Sequence, residues 1–158
     1  RRADCEAAAN KLGVASLRQS SLADVEQNAA LTDTERKRAR HVVSENIRVN
    51  AAVQALQQGD LATLKTLMAQ SHESLHTDYE VTVAATDALV KLSQHALGDQ
   101  GAARMTGGGF GGAIVCLCLP EAVAALKSEV LPQYQQQFGL IADLYVCTAG
   151  QGLNVRYF

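Results

Sequence analysis

Tryptophan is missing from this 158-residue sequence, and proline occurs only twice, at Pro120 and Pro132. With so few helix breakers in a chain rich in alanine, leucine and glutamine, long helices are expected. An excess of charge of either sign is also lacking: the formal net charge is −2, which argues against a nucleic-acid binder, since such proteins carry a clear basic excess. No apolar run approaches the length of a membrane span; the best candidate is 113–119, so no membrane partner is expected. Arg1-Arg2-Ala3-Asp4-Cys5 leads into a polar amphipathic stretch without the apolar region of a signal peptide. The start at Arg1, without methionine and in mid-pattern, reads as a piece of a longer chain.

What is present suits a folded domain. Apolar residues make up 47% and charged residues 19%, ordinary globular values that allow one domain, or one domain with a helical annex, to bury a core. Four cysteines form an even set, but Cys116 and Cys118 stand two apart in an apolar, strand-like run. That spacing suits buried thiols better than a disulfide or a metal pair, and a reduced, cytoplasmic setting is expected.

The first two-thirds reads helical. Leu31-Thr32-Asp33-Thr34-Glu35 carries start signals, and Ala39, Val42, Val43, Asn46, Val49, Val53 and Leu56 then follow a helical period. Gly59 ends this helix and Asp60 caps the next, which sets Leu61, Leu64, Leu67, Met68, Ser71 and Leu75 on one face. A third begins near Thr82 and runs to Gly98. Short connections predict antiparallel neighbours. After Gly101 the character changes. Ala113–Leu119 predicts a buried strand, Pro120 opens an amphipathic helix running through Val123, Leu126, Val130 and Tyr134 to Gly139, and 142–147 and 153–158 are two further strand candidates. The expected fold class is α+β: an antiparallel sheet with a ferredoxin-like βαββ layer packed on a bundle of helices. The helical part covers about 1–100 and the glycine-rich and α/β part about 101–158.

Three motifs carry candidate chemistry. Gly107, Gly108, Gly109, Gly111 and Gly112 are five glycines in six positions, preceded by Arg104-Met105-Thr106 and interrupted by Phe110. Such a run permits positive φ, and successive free amides there form an anion-binding nest, so a phosphate is a natural neighbour. Gly107, Gly109 and Gly112 satisfy G-x-G-x-x-G, but the dinucleotide version needs a strand before and a helix opening at the last glycine; a strand follows here instead. No Gly-Lys-Ser/Thr follows, so the P-loop fails too. His72-Glu73-Ser74-Leu75-His76 matches H-E-x-x-H on a helix, where zinc would need a third ligand from Asp78, Glu80 or the distant His95. The apolar seam of that helix leaves His72 near its edge, and a chance match is the preferred reading. Glu35-Arg36-Lys37-Arg38-Ala39-Arg40-His41 lies opposite an apolar stripe among acidic neighbours and reads as a solvated helix face rather than a binding patch. No carboxylate pair or Ser/His/Asp set announces itself, so no catalytic residue and no metal ligand is assigned.

At Arg104–Gly112 the sequence resembles the third signature of the GHMP small-molecule kinases, in the Met-Thr-Gly-Gly-Gly-Phe-Gly-Gly form of galactokinases. Arg1-Arg2 with Cys5-Glu6, the segment Asp78-Tyr79-Glu80-Val81-Thr82, Asp87-Ala88-Leu89-Val90, and the tail Tyr145-Val146-Cys147 with Gln151-Gly152 resemble galactokinase segments in the same order. The resemblance implies transfer of the γ-phosphoryl group of ATP to the 1-hydroxyl of α-D-galactose with Mg2+. It implies that Thr106, Gly107, Gly108, Gly109, Phe110, Gly111 and Gly112 lie beside substrate and nucleotide phosphate. Ala113, where several galactokinases have cysteine or another small residue, and Leu153, where alanine is common, are mild departures. The galactose-holding motif, the Gly/Ser-rich ATP loop and the catalytic aspartate are not in this sequence. Mg2+ and ATP would therefore be bound mainly by an absent amino-terminal domain, the chain alone would be inactive, and it would self-associate through the face that domain leaves bare. The alternative is a non-catalytic ferredoxin-like module that binds a ligand or a partner helix.

Overall fold

The computed structural model describes residues 1–152 and 155. Helix α1 (Arg2–Leu12) ends at Gly13, whose φ of 71° opens a Schellman turn with bonds back to Ala9 and Asn10. A 3-10 turn (Leu17–Gln19) and α2 (Leu22–Gln27) follow. Helix α3 (Asp33–Gln58) starts where expected: Thr32 accepts from the Glu35 amide while the Glu35 carboxylate accepts from the Thr32 amide. It stops at Gly59 in the left-handed conformation, and Asp60 caps α4 (Leu61–Thr77) through the Thr63 amide. Helix α5 (Ala84–Leu97) completes the helical part. None of the described helices is long and apolar enough to cross a membrane.

The sheet has two antiparallel strands among the described residues, β1 (Gly101–Thr106) and β2 (Ala113–Cys118), in register from Gly101 opposite Cys118 to Thr106 opposite Ala113. Strand β1 is not legible from composition, because Gly-Ala-Ala carries little strand preference. It forms because β2 pairs with it and α4 and α5 pack on it. Gly101 is demanded by that pairing: a Cβ there would lie 2.6 Å from Cys118 Cβ and 2.8 Å from the Leu117 carbonyl oxygen. Strand β2, expected to be buried, is half-buried: Cys116 and Cys118 face the helices while Val115 and Leu117 face outward.

The helix after Pro120 is one continuous rod of changing pitch. A 3-10 turn (Pro120–Ala122) leads into α6 (Val123–Ala125), a π turn (Leu126–Val130) and α7 (Leu131–Phe138). Pro132 lacks an amide hydrogen and its ring would crowd the carbonyl of Ser128. Widening the preceding turn, with the Leu131 amide bonded to Leu126, accommodates it. The strand expected over 142–147 does not join the sheet. Leu144 packs on the core of α5 and the rod, but Tyr145 is 83% exposed and no ladder bonds form. The α+β class with helices against an antiparallel sheet holds; the described layer stops at two strands. The strand expected over 153–158 lies, Val155 apart, outside the described residues.

Two apolar clusters hold the fold. One joins α1, α2 and α3 around Ala8, Val25, Ala39 and Val43; the other joins α5, β2 and the rod around Leu97, Leu126 and Val130. Polar residues occupy the ground between them: Arg38, His41, Ser71, His72 and Ser74 are all buried. The apolar stripe of α3 outruns its cover, so Val49, Val53 and Leu56 are exposed.

Candidate functional site

Residues Gly107–Gly112 close the hairpin between β1 and β2. Positive φ occurs at Gly107 (88°), Gly109 (83°), Phe110 (60°), Gly111 (123°) and Gly112 (93°). A side chain would be strained at any of these, and Phe110 tolerates it because its backbone is anchored. The anchor is the Phe110 amide, which donates to the Val81 carbonyl at 2.6 Å. Gly109 is needed for the same contact: a Cβ there would sit 2.5 Å from Val81 O and 2.7 Å from Val81 Cβ. Around Gly107, Gly108, Gly111 and Gly112, by contrast, a Cβ would meet nothing within 4 Å. One point of the loop is seated, and the rest is open backbone with the side chain of Phe110 68% exposed beneath the guanidinium of Arg1 at 5.8 Å. A groove of about 660 Å³ lies behind the turn that follows α4, but none of its lining residues belongs to the loop.

The seat is itself held by charge. After α4 the chain turns through Asp78, Tyr79 and Glu80, with Glu80 at φ 52°, a left-handed conformation that a non-glycine residue adopts only when its surroundings enforce it. Arg38, 3% exposed, donates to the Asp78 carbonyl at 2.5 Å and to Glu80 Oε2 at 2.7 Å. Lys37 takes the other Glu80 oxygen at 3.0 Å, and Arg1 donates to the carbonyls of Tyr79 and Glu80. Hydrogen bonds from Arg38 and Lys37 pull the Glu80 carboxyl down to about 2. Arg40 bridges Glu26 and Asp78, and Arg36 donates to the carbonyls of Val25, Glu26 and Asn28 at the end of α2, where a cation complements the helix dipole. His41 stacks on Tyr79 with ring centroids 4.4 Å apart. The basic run expected to be a solvated face is thus an internal clamp. α3 is packed by α1 and α2 on one side and α4 on the other, so the charged side of its first turns meets protein.

The match of the chain to a family model decides its membership. Residues 52–135 match the model described as GHMP kinases C terminal. The chain belongs to the GHMP kinase C-terminal family. It is 54% identical over 159 residues to the galactokinase of Pasteurella multocida (strain Pm70) and 46% identical to that of Mannheimia succiniciproducens, in each case over 98% of this chain and 41% of the relative. A crystal structure of Lactococcus lactis galactokinase complexed with galactose superposes with a TM-score of 0.86 at 35% identity, over 95% of this chain and 40% of that one. The chain therefore spans about two fifths of the length of the proteins it resembles.

Within this GHMP kinase domain the H-E-x-x-H pair has a structural occupation. His72 is not at the edge of its helix seam but 7% exposed beneath β1. Its Nδ1 accepts the Met105 amide at 3.3 Å, and its Nε2 faces Asp87 Oδ1 at 3.4 Å. His76 Nδ1 lies 2.9 Å from Thr82 Oγ1 and 3.0 Å from Asp87 Oδ2. Burial pushes the His72 imidazole below its ordinary value, against the pull of Asp87. Both rings tie α4 to the elements beside it, and His72 does so one residue before Thr106 opens the loop. Arg104 adds a second tie, donating to Ser71, which in turn donates to Glu45.

The strand before the loop amends the comparison with the dinucleotide motif. β1 supplies the preceding strand that template requires, while β2 stands where its helix would open. Sequence reasoning found the loop but gave Arg38, Glu80, Val81 and His72 no part in holding it: Arg38 reads there as a solvated residue, and His72 and Glu80 only as ligands of a disfavoured zinc site. The segment Asp78–Thr82 did stand out by resemblance, and that was the available signal.

Proposed function

We propose that this chain works as the carboxyl-terminal domain of a galactokinase, an enzyme that phosphorylates the 1-hydroxyl of α-D-galactose with MgATP, and that Thr106–Gly112 forms the wall at the phosphate end of its cleft. The observation that carries the reading is the loop: one glycine pressed on Val81, and open backbone with positive φ around it, within a chain of which 98% aligns with 41% of a galactokinase. Such backbone offers amides to phosphate oxygens without side-chain obstruction. When bound, ATP would supply the transferred phosphoryl group and magnesium would neutralise its charge. The segments to which the resemblance gives galactose binding, the ATP loop and the catalytic aspartate are not in this sequence, so we assign magnesium, most of the ATP contacts, the galactose contacts and proton transfer to an amino-terminal domain. That domain would cover the exposed stripe of Val49, Val53 and Leu56, and without it the chain self-associates. The helical part, about 1–100, serves as the support, and about 101–158 as the loop-bearing part. Four free thiols fit a reduced, cytoplasmic setting.

The test is galactose 1-phosphate formation. The longer polypeptide carrying this chain should form it from galactose and MgATP, and the 158-residue chain alone should not. A longer polypeptide without this activity overturns the galactokinase reading, and activity in the chain alone overturns the division of labour.

A further inference from the structure

We propose that Arg38 and Lys37 are positioning residues for the glycine loop, acting through Glu80. The proposal rests on the loop's role given above, but its geometry stands apart from that role. The loop is seated at one place, the Phe110 amide on the Val81 carbonyl, with Gly109 flush against the same residue. Val81 is next in sequence to Glu80, whose positive φ turns the chain so that the Val81 amide bonds back to the Leu75 carbonyl while its own carbonyl accepts from Phe110. A non-glycine residue does not hold that conformation unaided. Each Glu80 carboxylate oxygen is taken by a different cation of α3, Arg38 at 2.7 Å and Lys37 at 3.0 Å, and Arg38 also grips the Asp78 carbonyl two residues earlier.

The two adjacent cations of α3 therefore hold the turn by its side chain, Arg1 holds it by the Tyr79 and Glu80 carbonyls, and the turn fixes the loop. Arg38 suits this duty because its planar fork reaches a carbonyl and a carboxylate with two nitrogens in a fixed geometry, where lysine offers a single nitrogen on a flexible stem. Neither side chain needs to touch a substrate. The consequence is that a change on α3, on the far side of the turn, is transmitted to the backbone of the loop while the apolar clusters stay intact.

Two variants test this. Glu80→Gly removes the carboxylate yet keeps the left-handed conformation accessible, and Arg38→Lys keeps the charge but not the fork. Amide hydrogen exchange in the chain should show Phe110 exchanging about tenfold faster or more in both variants, the factor for losing a charge-assisted hydrogen bond. Val90, buried in α5, should be unchanged. In the longer polypeptide kcat should fall about tenfold with KM for galactose within about twofold, and Glu80→Gln, which still accepts hydrogen bonds, should recover part of both effects. Phe110 exchange equal to that of the unsubstituted chain, or accelerated only in step with Val90, overturns the proposal. Absence of kinase activity in the unsubstituted longer polypeptide would instead overturn the functional reading and leave the exchange result standing.

Discussion

Replacing Gly109 by alanine tests how the loop is seated. The new Cβ would lie 2.5 Å from the Val81 carbonyl oxygen and 2.7 Å from Val81 Cβ, at a backbone φ of 83°. If the loop stays in place, overpacking costs about 1–3 kcal/mol and the left-handed conformation about 1–2 kcal/mol. If the loop lifts instead, it forfeits the Phe110–Val81 hydrogen bond and leaves a carbonyl on a residue only 3% exposed without its partner, again about 1–3 kcal/mol. The first route sums to roughly 2–5 kcal/mol and the second to roughly 1–3 kcal/mol; the chain takes the cheaper, a loss of about 1–3 kcal/mol or a fall in Tm of about 2–12 °C for a domain of this size. The control is Gly108→Ala, where nothing lies within 4 Å of the added atom, expected to stay within about 0.5 kcal/mol of the unsubstituted chain. Urea unfolding followed by circular dichroism measures both. Equal stabilities for the two alanine variants would refute the claim that the glycine at 109 exists for the Val81 contact.

The clamp makes acid stability depend on Glu80. Its carboxyl is lowered from 4.5 in the free state to about 2, so its contribution is complete above pH 4.5 and is lost as pH falls toward 2; Glu80→Gln should flatten that part of the urea-midpoint profile, and an unaltered acid limb counts against the ion pairs. His72 is lowered by burial from 6.5. Its contribution is present above pH 6.5 and fades below it; the ring should titrate below 6.5 by proton NMR, and a value at or above that would show the Asp87 carboxylate outweighing burial. Gly101→Ala should destabilise the chain by about 1–3 kcal/mol by driving a Cβ into Cys118 and the Leu117 carbonyl; a Tm within a degree of the unsubstituted chain would show that the hairpin yields there at no cost.

The helical part was legible because its signals are local. Thr32 and Glu35 write a capping box, Gly59 supplies the left-handed stop, and Asp60 restarts the chain, and each acts within four residues of itself. β1 was illegible for the opposite reason. Gly101, Ala102 and Ala103 have no strand preference of their own, and they are extended because β2 lies beside them and helices close over them. The tail errs the other way: Tyr145 and Val146 prefer strands, yet preference without a paired neighbour leaves them exposed. The glycine loop was found by composition, but the reason for Gly109 in particular lies at Val81, 28 residues earlier in the chain, beyond the reach of any pattern.

The basic run of α3 carries the most general point about this fold. A helical wheel places Lys37 opposite the apolar stripe and Arg38 at its edge, four residues before Val42, but polarity alone says solvent for both. Burial of a guanidinium costs several kcal/mol unless its donors are met, so a buried Arg38 requires acceptors placed in advance: the Asp78 carbonyl and the Glu80 carboxylate meet its two terminal nitrogens, while its Nε makes no hydrogen bond and lies 3.6 Å from Asp4 Oδ2. An apolar replacement of equal volume could fill the same space at similar stability. It could not choose one position for the turn, since apolar contacts carry no direction, whereas a forked donor between a carbonyl and a carboxylate defines the turn to within a hydrogen-bond length. A polar seam between two apolar clusters is thus expected where backbone has to be placed rather than merely covered, and here the backbone so placed is the Val81 carbonyl under the glycine loop.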